Sequence, residues 1–123
     1  MCAVLEQCDL FIGNDSGPAH LAAAMNCPTV VVSRHPRNGA LDHSNSPARF
    51  APRGGRVMVL QPASGMDDCT ECCREAEAHC ILQVTVDEVL AVSMKLLQEP
   101  RREAGRAPDH ISASATSRSV REA

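Results

Sequence analysis

The chain has 123 residues, 44% of them apolar, and a formal charge of −3. That length fits one domain or part of a larger one, and with two Phe and no Trp or Tyr it excludes the aromatic stacking platforms that hold single-stranded nucleic acid. The slight acidity gives no general attraction to nucleic acid or anionic membrane, and no apolar run reaches the length of about 18 residues that marks a membrane span.

The opening MCAVLEQCDLF lacks a basic region and carries Glu6, so it does not read as a secretory signal. Residues 2–8 read as the end of a helix, with Ala3, Val4 and Leu5 turned inward. DLFIG (9–13) is a short apolar run between Asp9 and Gly13, the pattern of a strand buried on both faces. A helix start follows at once. Asp15 or Ser16 is the N-cap, Pro18 sits in the first turn where its missing N–H does no harm, and AHLAAAM favours helix. Asn26 tolerates the left-handed conformation of a helix end, and Pro28 blocks continuation.

TVVVS (29–33) predicts a second buried strand. Strand, turn, helix and strand make a βαβ unit, which implies a parallel sheet with a right-handed crossover. Residues 34–56 read as loop, RVMVLQP as a third strand, and SGMDDCTECCREAEAHC as polar loop with a turn of helix. Thr85 and Glu88 form a capping-box pattern before VLAVSMKLL, where Val89, Leu90, Val92, Met94, Leu96 and Leu97 fit an amphipathic helix. The domain so read spans 1–98, and 99–123 is expected to be a disordered tail. The elements are fewer than a doubly wound domain uses, and Met1 falls inside a helical pattern. The expected architecture is a partial Rossmann-like parallel sheet with flanking helices, a C-terminal piece of a larger α/β protein.

In such sheets ligands bind beyond the carboxyl ends of the strands, which singles out NDSGPAH. The N–H groups of Ser16, Gly17 and Ala19 are expected as first-turn donors at the positive end of a helix dipole, a site suited to phosphate. Gly17 lets a ligand approach the backbone. Asp15 repels phosphate and suits ligand hydroxyls instead, while His20 lies one turn in, on the face of Ser16. On residue types alone each has a plainer alternative, with Asp15 and Ser16 as helix caps and His20 as a half-buried histidine. The turn is not a G-x-S-x-G elbow, because its first Gly stands one place early. P-loop and dinucleotide fingerprints are absent.

Arg34, Arg37, Arg49, Arg53 and Arg56 oppose only Asp42 between residues 34 and 56. This is either a solvated loop or one that faces an anion beside the Asp15 turn, with Arg34 and Arg37 as its contacts. Cys69, Cys72, Cys73 and Cys80, with His79, admit three readings: structural zinc, a disulfide or redox pair, and ordinary buried or loop cysteines. A second C-x-x-C or H-x-x-x-H pair is lacking, and the neighbours His79 and Cys80 are poorly spaced to ligate one ion together. The sequence therefore assigns no metal. An odd total of seven cysteines without an export signal points to reduced thiols in a cytoplasmic protein.

The string CDLFIGNDSGPAHLAAAMNCPTVVV resembles the signature of glycosyltransferase family 9, the ADP-heptose:lipopolysaccharide heptosyltransferase family. The resemblance extends through NSPARFAP, VLQP, the cysteines and VTVDEVLAVSMKLL, roughly residues 1–98. It implies the GT-B arrangement of two facing Rossmann-like domains, this chain being the C-terminal, donor-binding portion. It also implies transfer of a sugar from a nucleotide-diphosphate donor, ADP-heptose-like, to a lipopolysaccharide-core or other saccharide acceptor, without a cofactor.

By the same resemblance the donor site takes in Asn14, Asp15, Ser16, Gly17, Pro18 and His20. Ser16 and Gly17 would hold the diphosphate through their backbone, Asp15 would contact sugar hydroxyls, and His20 would lie near the phosphates. The catalytic base and a phosphate-binding lysine belong to parts of the family's fold that this chain lacks, the N-terminal acceptor domain above all. No catalytic residue is assigned here. The implied place is the cytoplasm, at the inner face of the membrane and at most peripheral to it. Two other readings are a zinc-stabilised interaction module centred on residues 69–80 and an inactive fragment.

Overall fold

A computed structural model describes residues 1–100. Helix α1 (Cys2–Gln7) leads to strand β1 (Phe11–Asn14), helix α2 (Gly17–Ala24) and strand β2 (Thr29–Val32). A single helical turn, α3 (Pro47–Phe50), precedes strand β3 (Val57–Leu60), and a 3-10 turn (Cys80–Gln83) precedes helix α4 (Val86–Gln98). The expected tail lies, from residue 101 onward, outside the described residues.

The three strands form one parallel sheet in the order β1-β2-β3. Phe11 is in register with Thr29, and Thr29 with Val57. The parallel βαβ unit read from the sequence is therefore present, and the fold is an α/β, partial Rossmann-like sheet with flanking helices. β2 is the buried centre, with Thr29, Val30 and Val31 closed to solvent. Helix α2 stops where Asn26 turns left-handed, at φ 56°, and the following Cys27 packs with Leu5 and Ala22 in the main apolar cluster.

Two expectations need correction. β1 is an edge strand whose residues alternate between half-buried and exposed, with Ile12 50% exposed. It is not buried on both faces, because it has a neighbour on one side only. In α1 only Leu5 is buried, and Ala3 and Val4 face solvent, since a helix this short turns a single residue toward α2.

Helix α4 does open with the capping box: Thr85 Oγ1 accepts from the Glu88 N–H, and the Glu88 carboxylate accepts from the Thr85 N–H. Its inward stripe is narrower than the apolar pattern suggested. Ser93 and Leu96 are buried, Val89 and Val92 half-buried, and Leu90, Met94 and Leu97 exposed. The far end of α4 is tied to the start of β3. Arg56, itself buried, donates to the carbonyls of Leu96 at 2.9 Å and Glu99 at 3.0 Å, supplying a cation to the negative end of the helix.

Candidate donor cleft and cysteine cluster

The turn after β1 opens into a cleft of about 470 Å³ at the carboxyl ends of β1 and β2, a size suited to a small ligand. Asn14, Asp15, Ser16, Gly17 and His20 line one side. Val32, Ser33, Arg34, Ser44, Asn45, Phe50 and Ile81 line the remainder. The structure thus brings together five residues of the turn and one of the two arginines singled out in the sequence. Pro18, in the first turn of α2, and Arg37, exposed on the loop, lie outside the lining.

The turn differs in detail from a simple helix cap. Ser16 stands at the N-cap position of α2, yet its hydroxyl makes no cap bond. It donates instead to the Asn14 carbonyl at 3.1 Å. Ala19 is not an open donor, since its N–H bonds the Ser16 carbonyl at 3.1 Å. Among the described residues the N–H groups of Ser16 and Gly17 have no backbone acceptor. Asp15 Oδ1 lies 3.6 Å from His20 Nε2 across the turn. Gly17 needs no left-handed backbone, and a side chain there would meet none of the protein's own atoms within 4 Å.

Most of the basic loop is spent on the protein itself. Arg49 donates to the Asp42 carbonyl, Arg53 to that of Ala48, and Arg56 caps α4. None of these three lines the cleft. Arg34 donates to the Glu75 carbonyl at 3.2 Å, which fastens it to the cysteine-rich loop while it lines the cleft. Sequence reasoning missed Phe50 and Ile81. One legible signal was that Phe50 is one of only two phenylalanines and sits in a polar loop. His35, next to Arg34 in the chain, is 2% exposed, with Nε2 against the Ala40 carbonyl at 3.1 Å and its ring stacked on His43. Burial lowers its pKa from the usual 6.5, against the Ala40 bond, and His43 lowers it further.

Beside the cleft, Cys69, Cys73 and Cys80 form a second buried cluster, and His79 turns toward them. The ligating atoms of these four side chains all lie within 4.8 Å of one another. The objection that adjacent His79 and Cys80 cannot share a centre does not hold here. His79 has φ −136° and ψ −94°, a kink that sends both side chains to the same side. The sequence also suggested Cys69 and Cys72 as a C-x-x-C pair, but Cys73 takes that place and Cys72 stands outside the group. Burial opposes ionisation of Cys73, but N–H groups of Cys80 and Glu75 and the His79 imidazole outweigh it and bring the thiol to about 7. Cys80, buried and beside the other thiols, is pushed up to about 11.

A parallel α/β layer with a polar turn and an arginine around a cleft at the strand ends is the Rossmann-like arrangement in which ligands bind beyond the carboxyl ends of the strands. Residues 1–60 match the family model of glycosyltransferase family 9 (heptosyltransferase), the family whose signature the turn resembles. That match runs from α1 through β3 and takes in the whole Asp15 turn. No curated protein and no solved structure matches the chain.

Proposed function

We propose that this chain carries part of the donor site of a heptosyltransferase-type glycosyltransferase, the C-terminal half of a GT-B pair. The observation that carries the reading is the cleft itself, which gathers Asp15, Ser16, Gly17, His20 and Arg34 at the start of α2. The donor diphosphate would lie against the Ser16 and Gly17 N–H groups at the positive end of α2, with Arg34 as a further cation. Asp15, steered by His20, would accept hydrogen bonds from sugar hydroxyls. Phe50 and Ile81 would flank the less polar part of the nucleotide. Preorganised donors of this kind stabilise the charge that develops on a departing diphosphate.

An opposed domain would supply the base that activates the acceptor hydroxyl, the acceptor being a lipopolysaccharide core or similar saccharide. The work would be done in the cytoplasm at the membrane's inner face. No helix among the described residues is long and apolar enough to cross a membrane.

Gly17→Val tests this directly, since the added side chain meets open space in the free protein and would occupy the ligand's place. Calorimetric titration with ADP and ADP-heptose should show at least a tenfold loss of affinity, about 1.4 kcal/mol or more, with the melting temperature unchanged. Unaltered binding in a well-folded variant would remove the turn from the donor site. In the enzyme paired with its acceptor domain, Asp15→Asn should slow sugar transfer while leaving the melting temperature in place.

A further inference from the structure

We propose that Cys69, Cys73, His79 and Cys80 bind one structural zinc ion, a site independent of the donor-site reading. Three sulfurs and one imidazole nitrogen are a closed tetrahedral donor set of the kind structural zinc takes. The spacing fits as well as the chemistry. With Zn–S near 2.3 Å and Zn–N near 2.05 Å, adjacent ligand atoms of a tetrahedron stand about 3.6–3.8 Å apart. His79 Nδ1 is 3.4 Å from Cys80 Sγ and 3.7 Å from Cys69 Sγ, and no ligand pair exceeds 4.8 Å. A disulfide needs sulfurs about 2.05 Å apart, and Cys69, Cys73 and Cys80 are not joined by one.

The surroundings are those of a metal site. His79 presents Nδ1 to the sulfurs while its Nε2 faces Asp67 Oδ2 at 3.4 Å. A carboxylate on the far nitrogen fixes the tautomer and aims the near one at an ion. Asp67 reaches that position from a left-handed backbone, φ 46°, a conformation uncommon for a residue with a side chain. The Met66 N–H donates to Cys80 Sγ at 3.4 Å. Gly65 lies so close to the Cys69 carbonyl that any side chain there would overlap it. A segment of residues 63–79, without helix or strand, thus converges on one buried centre.

The ion would act as a staple rather than a reagent, since all four positions are protein ligands and none is left open for substrate. Its loop borders the cleft at two points: Ile81 follows Cys80 directly, and Arg34 is fastened to the Glu75 carbonyl.

The test is elemental analysis of the untagged full chain, purified without chelator, alongside single variants. Wild type and Cys72→Ser should each hold about one zinc per chain. Cys69→Ser, Cys73→Ser and Cys80→Ser should each hold less than a tenth of that. Because a cysteine variant can fail to fold, His79→Cys supplies a second reading. It should keep one metal per chain, and replacing zinc by cobalt(II) should give tetrahedral, thiolate-bound visible spectra that differ between this variant and wild type. Wild type without metal, an intact disulfide among Cys69, Cys73 and Cys80, iron in place of zinc, or equal loss in Cys72→Ser would each overturn the proposal.

Discussion

At the scale of single residues, the turn after β1 separates hydroxyl, backbone and charge. The Ser16 hydroxyl bonds the carbonyl of Asn14 and caps nothing. Ser16→Ala should therefore cost less than the ~1 kcal/mol of a lost N-cap, and a thermal melt should hardly move. Arg34 and Arg37, alike in the sequence, part company in space, so Arg34→Ser should weaken nucleotide binding while Arg37→Ser leaves it unchanged in the same titration. His35 contributes a pH dependence to stability. Burial holds its folded pKa below the ordinary 6.5, so near that pH the unfolded chain takes up a proton the folded one refuses. Its contribution is complete above 6.5 and is lost as pH falls from there toward the folded value. Denaturant titrations between pH 7.5 and 5.5 should show wild type losing stability more steeply than His35→Gln, and equal slopes would acquit His35. Which residues form the turn was legible from Gly17, Pro18 and His20, because helix starts are written locally. Ile81 and the use of Arg56 were not legible, because each depends on what a distant segment brings alongside.

Among elements, α4 was the most legible, because S/T-x-x-E at its start is a contact between residues three apart that no tertiary partner need supply. Thr85→Ala removes a hydroxyl that accepts from Glu88 and should cost about 1 kcal/mol, read as a fall of about 4–8 °C in melting temperature for a domain of this size. β1 was misjudged for the opposite reason. Its apolar run matches a central strand, but burial on both faces comes from neighbours, and in this sheet β1 has only β2. The same holds for the outer positions of α4, whose apolar residues exceed what a three-stranded sheet can cover. Local signals place an element; only packing decides which of its faces closes.

At the scale of the molecule, two buried clusters stand apart among the described residues: Leu5, Ala22 and Cys27, where α1 meets α2, and Cys69, Cys73 and Cys80 in the loop. Stripping metal from the second should loosen residues 63–83 without melting the first. Far-UV circular dichroism should then change little, while amide exchange rises across that loop alone; a collapse of the helical signal would show the clusters to be one cooperative unit. The cysteine cluster also differs from the sheet in reach along the chain. Its four side chains lie between residues 69 and 80, whereas Phe11 must find Thr29 and Thr29 must find Val57. The entropy lost in closing a loop rises with its length, so the cysteine loop closes at less cost than either strand pairing. By loop-closure entropy alone the knot of near neighbours should gather before the strands meet, which amide-exchange labelling during refolding would read as earlier protection in residues 63–83 than in β1 to β3.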